Sequence, residues 1–411
     1  MTKPDDASKR LRPLSEVESI PQAGIEAATA VMRSGQLFRY GEFGSDGQPA
    51  ARLEEEFAAH IASRYAVAVN SGGGAMFLAL RALGVGPGDR VLTNAFTLAP
   101  VPGAIAHANA EPVMVECTPD LKTDVADLEA KVRESGARIF LLSHMRGHIS
   151  DMDAVREVCG RHGVTLVEDC AHTLEACWNG VPTGRLGEIG CFSFQSFKHM
   201  NAGEGGMLVT DDPDIAARAI LLSGSYMLHL QHGARPDAAV FERHTYTTPN
   251  LSMRMSNLAA AVLRPQIPLL PERAATWRRL HDVIGDLLDG VEGVTRPVRH
   301  PREDYVCNAI QFFVEDLDPG RMTAFLNRCA EEGVPVKWFG AAEPVGFTST
   351  YRSWRYVGEL PDLPATDRTL RCLCDMRIPL GLTDTECRTS VSTIDRALQD
   401  VRSSSRVSSP R

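Results

Sequence analysis

The stretch SFQSFKHMNAGEGGM, Ser193 to Met207, places Lys198 between a short apolar strand and a run of small residues and glycines. Two interpretations are open at this point. Lys198 could be a solvated cation beside a flexible turn, or an amine held in a partly desolvated pocket. A desolvated lysine loses its proton more easily and can form a Schiff base with an aldehyde. The choice depends on what the neighbouring segments bring to the same place.

The segments around this stretch alternate between apolar strands and amphipathic helices. Strand-like runs cover 65–70, 137–144 and 164–170, and helical patterns cover 53–63 and 151–162. Strands that are apolar on both faces and alternate with helices predict an α/β fold with a mostly parallel sheet. After Leu263 the sequence pattern changes, and the new pattern predicts a smaller α+β domain. We therefore predict a large domain over 1–265, a small domain over 266–400 and a disordered Ser/Arg-rich tail over 401–411.

Composition limits the classes of function. The 411 residues carry a net charge of −9, which argues against nucleic acid or an anionic membrane as the main partner. No apolar run approaches the roughly 20 residues of a membrane helix, and the first residues lack the apolar core of a signal peptide. The ten cysteines form no C-x-x-C pair. We expect a cytoplasmic protein with reduced thiols and no metal site.

The segment VNSGGGAM, 69–76, joins a strand to a helix through three glycines. Glycines let the backbone approach a ligand closely, and a helix start offers free N–H groups and a positive dipole end. The segment is therefore either a phosphate-binding turn or an ordinary flexible connection. It matches neither a P-loop nor G-x-G-x-x-G.

The segment LVEDCAH places Asp169 at the end of a buried strand, where ligands bind in open α/β sheets. A carboxylate there needs a partner, which could be a protonated pyridine nitrogen, a helix N-terminus or a salt bridge. His172 could touch the same ligand or belong to a turn. A phosphate-binding turn, a carboxylate for a ring nitrogen and a lysine for an aldehyde together describe the binding of pyridoxal 5′-phosphate (PLP).

Four segments in this order resemble the DegT/DnrJ/EryC1/StrS family of PLP-dependent sugar aminotransferases. They are YAVAVNSGGGAMFLAL, SHMRGHISDMDAVREVCGRHGVTLVEDCAH, GEIGCFSFQSFKHMNAGEGGMLVTDD and NLSMRMSNLAAAVLRPQI. The resemblance implies PLP fold-type I, with a mostly parallel seven-stranded sheet in the large domain and a smaller α+β C-terminal domain. It also implies a homodimer with shared active sites.

The resemblance implies roles for individual residues. Lys198 would bind the cofactor aldehyde and shuttle the proton, Asp169 would pair with the ring nitrogen, and His172 would lie near the phenolic oxygen. The phosphate would be held by Gly72, Gly73 and Ser193. Asn250 would reach across the dimer interface towards the phosphate of the other subunit, and Arg254 would lie near the mouth of the site.

Some residues depart from the family pattern. Gly73 replaces a threonine, Leu98 replaces an aromatic residue that stacks on the cofactor ring, and Arg146 and His148 replace an aromatic residue and a glutamine. These changes suggest an acceptor unlike the commonest nucleotide 4-ketosugars. The segment 337–354 is expected either to cover the pocket or to pack within the small domain.

The resemblance implies transfer of an amino group from glutamate or glutamine to a ketosugar or ketocyclitol. Two alternatives are considered. A PLP-dependent sugar dehydratase would have histidine in place of the lysine, whereas this chain keeps Lys198, with His199 beside it. A binding or regulatory protein would keep the fold without turnover.

Overall fold

The computed structural model describes residues 11–41 and 47–403. The helices are α1 Gln22–Ser34, α2 Pro49–Ile61, α3 Gly72–Ala82, α4 Pro100–His107, α5 Val125–Ser135, α6 Met152–His162, α7 Pro213–Gly224, α8 Ala238–Glu242, α9 Asn257–Leu263, α10 Leu270–Leu288, α11 Pro319–Glu331, α12 Pro364–Arg371 and α13 Asp384–Ser403. The strands are β1 Tyr65–Val69, β2 Arg90–Asn94, β3 Glu111–Val115, β4 Ile139–Ser143, β5 Thr165–Asp169, β6 Cys177–Trp178, β7 Val181–Pro182, β8 Ile189–Ser193, β9 Gly206–Thr210, β10 Val294–Thr295, β11 Glu303–Asp304, β12 Ala309–Val314, β13 Lys337–Trp338 and β14 Leu373–Arg377.

The large domain is built on a seven-stranded sheet in the order β1-β9-β8-β5-β4-β2-β3. The five strands from β8 to β3 are parallel, and β9 runs antiparallel to both of its neighbours. All five residues of β1 and of β9 are buried, as expected for apolar strands covered by helices on both faces. The predicted α/β fold with a mostly parallel seven-stranded sheet is confirmed.

Short polar signals fix where the crossover helices begin and end. Asp151 caps α6 by accepting the backbone N–H of Ala154, and Gly163 ends the helix in the left-handed conformation with φ 64°. Aspartate before the first turn and glycine after the last turn are strong helix boundaries. The sequence-based helix over 151–162 therefore agrees with α6.

The small domain contains a second sheet, in the order β10-β12-β14-β13, in which neighbouring strands are antiparallel. Its core includes Trp277, Phe312 and Phe325, and it also takes up Leu14 from the N-terminal segment. The domain boundary near residue 265 remains a prediction. Residues 401–403 continue α13, and the remainder of the predicted tail, 404–411, lies outside the described residues.

A buried ion pair ties the N-terminal segment to the large domain. Arg39 donates two hydrogen bonds to the carboxylate of Glu54, at 3.0 and 2.9 Å, and both side chains are fully buried. The same carboxylate contacts Nδ1 of His232 at 2.9 Å. Such a pair is costly to break, because removing one partner leaves an uncompensated charge in the interior.

The ten cysteines are all free thiols, and eight of them are buried. Among the described residues, no helix combines the length and the apolar character that crossing a membrane would require.

Candidate active site

The glycine turn after β1 is packed so closely that its residue types are constrained. A Cβ atom on Gly72 would lie 2.7 Å from Cβ of Ser193, and one on Gly206 would lie 2.2 Å from the carbonyl oxygen of Ser71. A Cβ on Gly73 would meet only Pro100, at 3.8 Å. The turn therefore rests against the ends of β8 and β9 and is open on the side of Gly73.

The start of α3 leaves backbone donors for a ligand. The side chain of Ser71 accepts the N–H of Gly74 at 2.9 Å and so caps the helix. The N–H groups of the first turn have no partner within a helix, so those of Gly72 and Gly73 are oriented for an anion. Ser193 lies beside this turn, as the sequence predicted for a phosphate site.

Asp169 ends β5 and is 5% exposed. Its Oδ2 accepts a hydrogen bond from the hydroxyl of Ser143 at 2.7 Å, and its Oδ1 accepts the N–H of Ala171 at 3.1 Å. Ser143 ends the neighbouring strand β4 and is the register partner of Asp169. These two donors hold a carboxylate at the strand ends in a fixed orientation.

Lys198 follows β8 and contacts His172 directly, with 2.7 Å between Nζ of the lysine and Nε2 of the histidine. His172 lies three residues after Asp169 and is 7% exposed. The structure therefore brings Lys198, His172 and Asp169 to one place, at the carboxyl ends of β5 and β8. The glycine turn lies at the end of β1, along the same edge of the sheet.

Burial and charge make Lys198 an unusually weak base. Its pKa is lowered from 10.5 to about 7, mainly by burial and further by the positive charges of Arg146, Arg377 and Lys337, while Asp169 opposes the shift. Burial, followed by the charge of Lys198, also holds the pKa of His172 well below its usual value. A neutral imidazole can accept a hydrogen bond from the lysine, and a lysine with a pKa near neutrality is available as a nucleophilic amine.

Two predicted residues lie outside this group. Leu98 packs against the cluster that contains Phe96, Met145 and Phe339. Asn250 is exposed, and its Oδ1 accepts the N–H of Tyr226 at 3.0 Å. Within 11–41 and 47–403, no contact joins Asn250 to the Lys198 group.

The sequence reasoning missed Ser143 and Arg377, and it included Lys337 only as the first residue of the segment 337–354, which was expected either to cover the pocket or to pack within the small domain. Ser143 ends β4, and its pairing with Asp169 depends on the register between β4 and β5. Lys337 and Arg377 come from β13 and β14 of the small domain. No local pattern marks Arg377 as part of the site.

The family model described as the DegT/DnrJ/EryC1/StrS aminotransferase family matches residues 19–394. The chain is 32% identical over 252 residues to a pleiotropic regulatory protein of Geobacillus stearothermophilus. The alignment covers 59% of this chain and 64% of the relative, so the chain spans slightly less than two thirds of the length of that relative. It is 32% identical over 325 residues to the dTDP-3-amino-3,4,6-trideoxy-alpha-D-glucose transaminase of Streptomyces venezuelae, which covers 77% of this chain and 82% of the relative. The crystal structure of 3-amino-5-hydroxybenzoic acid synthase superposes with a TM-score of 0.80 at 28% identity, over 95% of this chain and all of that one.

Proposed function

Because the chain belongs to the DegT/DnrJ/EryC1/StrS aminotransferase family, we propose that it is a PLP-dependent aminotransferase that moves an amino group from glutamate or glutamine to a ketosugar or ketocyclitol. The observation that carries this proposal is the contact of Lys198 with His172 beside the carboxylate of Asp169. The transaminase and the synthase among the similar proteins support the class of acceptor.

The residues present fit PLP at each of its poles. The glycine turn supplies N–H groups and space on the side of Gly73 for a phosphate, with Gly72 and Ser193 beside it. Asp169 supplies a buried carboxylate that suits a protonated ring nitrogen, and Lys198 supplies an amine for the aldehyde. Bound PLP would supply an aldehyde that captures amines and a ring that withdraws electrons from the reacting carbon.

Lys198 is suited to moving the proton. An amine with a pKa of about 7 can accept a proton at Nζ and return it at neutral pH with only a small free-energy cost for either transfer. His172 orients Nζ through the 2.7 Å contact, and its low pKa keeps it from adding a competing positive charge. The buried setting excludes bulk water from this exchange. Because the amino donor and the keto acceptor would react one after the other at the same lysine, we expect ping-pong kinetics.

The test uses the visible absorbance of the purified protein loaded with PLP. We expect an absorbance band that changes when glutamate or glutamine is added and is restored by a keto acceptor. Lys198→Ala should lose the band, whereas Lys131→Ala, which removes a lysine paired with Asp127 on a helix surface, should keep it. Absence of any cofactor band in the unaltered protein would exclude the enzymatic proposal.

We further propose that the protein is a homodimer with shared active sites. Several large apolar side chains are exposed in the segment 226–230, which a hydrogen bond joins to Asn250, and in the segment around Asn250 itself: Tyr226, Met227, Leu228, Leu230, Tyr246 and Leu251. Several exposed apolar side chains in two joined segments favour an interface between subunits. In a dimer that covers this surface, Asn250 could also reach the phosphate site of the other subunit.

Sedimentation of Met227→Glu tests the dimer, because Met227 is 64% exposed and the change adds a charge without disturbing the core. We expect a monomer with weaker PLP binding. Val298→Glu is the matched control, since Val298 is 67% exposed on a different part of the chain. A Met227→Glu protein that sediments like the unaltered chain would contradict the proposed interface. We also propose a cytoplasmic location, which the free thiols support.

A further inference from the structure

Three cationic side chains converge beside Lys198, and we call them the basic cluster: Arg146, Lys337 and Arg377. Arg146 follows β4 of the large domain, whereas Lys337 and Arg377 lie on β13 and β14 of the small domain. Arg377 lies over the ring of Phe197, which precedes Lys198, and Arg146 and Lys337 share the carboxylate of Asp375. All three charges contribute to lowering the pKa of Lys198. The cluster thus joins both domains at the candidate active site.

One carboxylate, Asp375, is shared by two members of the basic cluster. Its Oδ2 lies 3.2 Å from Nη2 of Arg146 and 3.6 Å from Nζ of Lys337, and its Oδ1 accepts a hydrogen bond from Gln311 at 2.7 Å. Asp375 is fully buried. Among the described residues its Oδ2 faces both cations without forming a hydrogen bond, and the carboxylate compensates for one of the three positive charges.

Buried donors of the basic cluster are left without partners. Nε of Arg146 and Nη1 of Arg377 are shielded from solvent and form no hydrogen bond with any residue of 11–41 or 47–403. The Arg146 side chain is 10% exposed. Glu18 also acts on Arg377, but its Oε1 already accepts the N–H of Leu380 at 2.8 Å. Buried guanidinium donors without acceptors are unfavourable, so an anion that accepts from them is the expected partner.

The surroundings hold these donors in place. The guanidinium of Arg377 lies 4.3 Å from the ring centre of Phe197, the residue that precedes Lys198. Phe347, from the small-domain segment 337–354, stacks edge-on against the same ring. Arg146 has a φ of 55°, a left-handed conformation that is uncommon for a residue with a side chain. Such strain persists where surrounding contacts fix it, often at a ligand site.

We propose that the basic cluster binds a carboxylate group of a substrate and holds it beside Lys198. This proposal rests on the proposed function and adds to it the charge of the group that is recognised. Guanidinium groups present paired N–H donors that match the two oxygens of a carboxylate. The carboxylate could belong to the amino donor or to a cyclic acceptor that carries an acid group.

The direct test measures binding without turnover. Glutarate, a dicarboxylate without an amino group, is titrated into the PLP-loaded protein by calorimetry, and its neutral diamide, glutaramide, serves as the uncharged probe. We expect glutarate to bind and glutaramide not to bind. Arg146→Gln and Arg377→Gln should each weaken glutarate binding about tenfold, because each removes one charge-assisted contact. Arg279→Gln is the matched control, since Arg279 pairs with Asp384 on the exposed surface.

Two further arms identify the source of the carboxylate. In the donor arm, the absorbance change of the loaded protein is followed with glutamate. In the acceptor arm, the protein is first reacted with the amino donor, so that it carries the amino group. It is then mixed with a six-membered cyclic ketone that bears a carboxylate or, separately, with the matching primary amide. A tenfold loss in Arg377→Gln that is confined to glutamate assigns the cluster to the donor, and one confined to the acid ketone assigns it to the acceptor. Arg377→Lys, which keeps the charge, should restore part of the loss.

The two proposals fail in different ways. If glutamate and glutamine change the absorbance but glutarate binds equally to the unaltered protein and to both glutamine variants, the carboxylate site is excluded and the aminotransferase remains. The same conclusion follows if glutaramide binds as well as glutarate. If neither donor reacts but glutarate binding still depends on Arg146 and Arg377, the binding site stands and the proposed function fails. Thermal unfolding of each variant excludes misfolding as the cause.

Discussion

Removing Arg146 is expected to raise the pKa of Lys198 in the protein freed of its cofactor. At a pKa of about 7, half of the chains carry a neutral Lys198 amine at pH 7. An ordinary lysine would be neutral in about one chain in three thousand at that pH. Burial is the largest cause of this difference, and Arg146 is the largest contribution from a charge.

The size of the Arg146 effect follows from Coulomb's law. Two unit charges roughly 10 Å apart in a medium with an effective dielectric constant of about 20 repel by about 1.7 kcal/mol, or roughly one pKa unit. Arg146→Gln should therefore bring the pKa of Lys198 to about 8 and reduce its neutral fraction at pH 7 from about a half to about a tenth. Burial would still keep the pKa below that of an exposed lysine.

The assay is competitive acetylation of the cofactor-free protein, with Lys198 quantified by mass spectrometry from about pH 5 to about pH 11. The midpoint of labelling reports the pKa of the amine, and Arg279→Gln serves as the control for loss of a distant charge. A midpoint near 10.5 in the unaltered protein would refute the desolvated lysine. An unchanged or lower midpoint in Arg146→Gln would refute the contribution of that arginine.

Three other perturbations test separate parts of the structure. Asp169→Asn should lower kcat/KM by at least about 100-fold, as for other losses of preoriented charge, with steady-state kinetics as the measurement and normal activity as the contrary result. Gly73→Thr should fit the open side of the turn and tighten PLP binding about tenfold in a spectroscopic titration. Gly72→Ala should weaken PLP binding, because the added methyl group crowds Ser193 at the end of β8. Equal PLP affinities of the two variants would contradict this geometry. Glu54→Gln should destabilise the fold by about 3–5 kcal/mol in urea unfolding, because it leaves Arg39 buried without its counter-ion. Burial raises the pKa of Glu54, but Arg39 and His232 outweigh burial and lower that pKa from 4.5 to about 2. The contribution of the ion pair to stability is therefore present above pH 4.5 and is lost as the pH falls towards 2. An acid-unfolding midpoint unchanged by Glu54→Gln would contradict this prediction.

The sequence predicted the residues whose position depends only on strand ends. Asp169 and Ser193 each end a strand, Gly72 follows one, and parallel strands place such residues along one edge of a sheet. Lys198 could be added to this group because it follows β8 by a few residues. The α/β class followed from the same alternation of buried strands and helices.

Residues whose position depends on register or on domain packing could not be predicted in this way. The hydrogen bond from Ser143 to Asp169 requires β4 and β5 to pair in one particular register. Lys337 lies in a strand of only two residues, and Arg377 lies in a strand that no sequence pattern had indicated. Both approach Lys198 only because the small domain packs against the large one, which a local pattern does not encode.

The order of the strands has a consequence for biosynthesis. Within the part of the chain that the structure describes, β9 is the one strand of the sheet that pairs with β1, which precedes the glycine turn, and these strands are more than a hundred residues apart in the chain. The turn itself rests on Ser193 and Gly206. The ribosome must therefore release the segment through β9 before the turn has anything to pack against. Until then β1 can pack against α2, whose Glu54 accepts the N–H of Ala68, but it has no partner strand, and its free edge is exposed to chaperones and to association with other nascent chains.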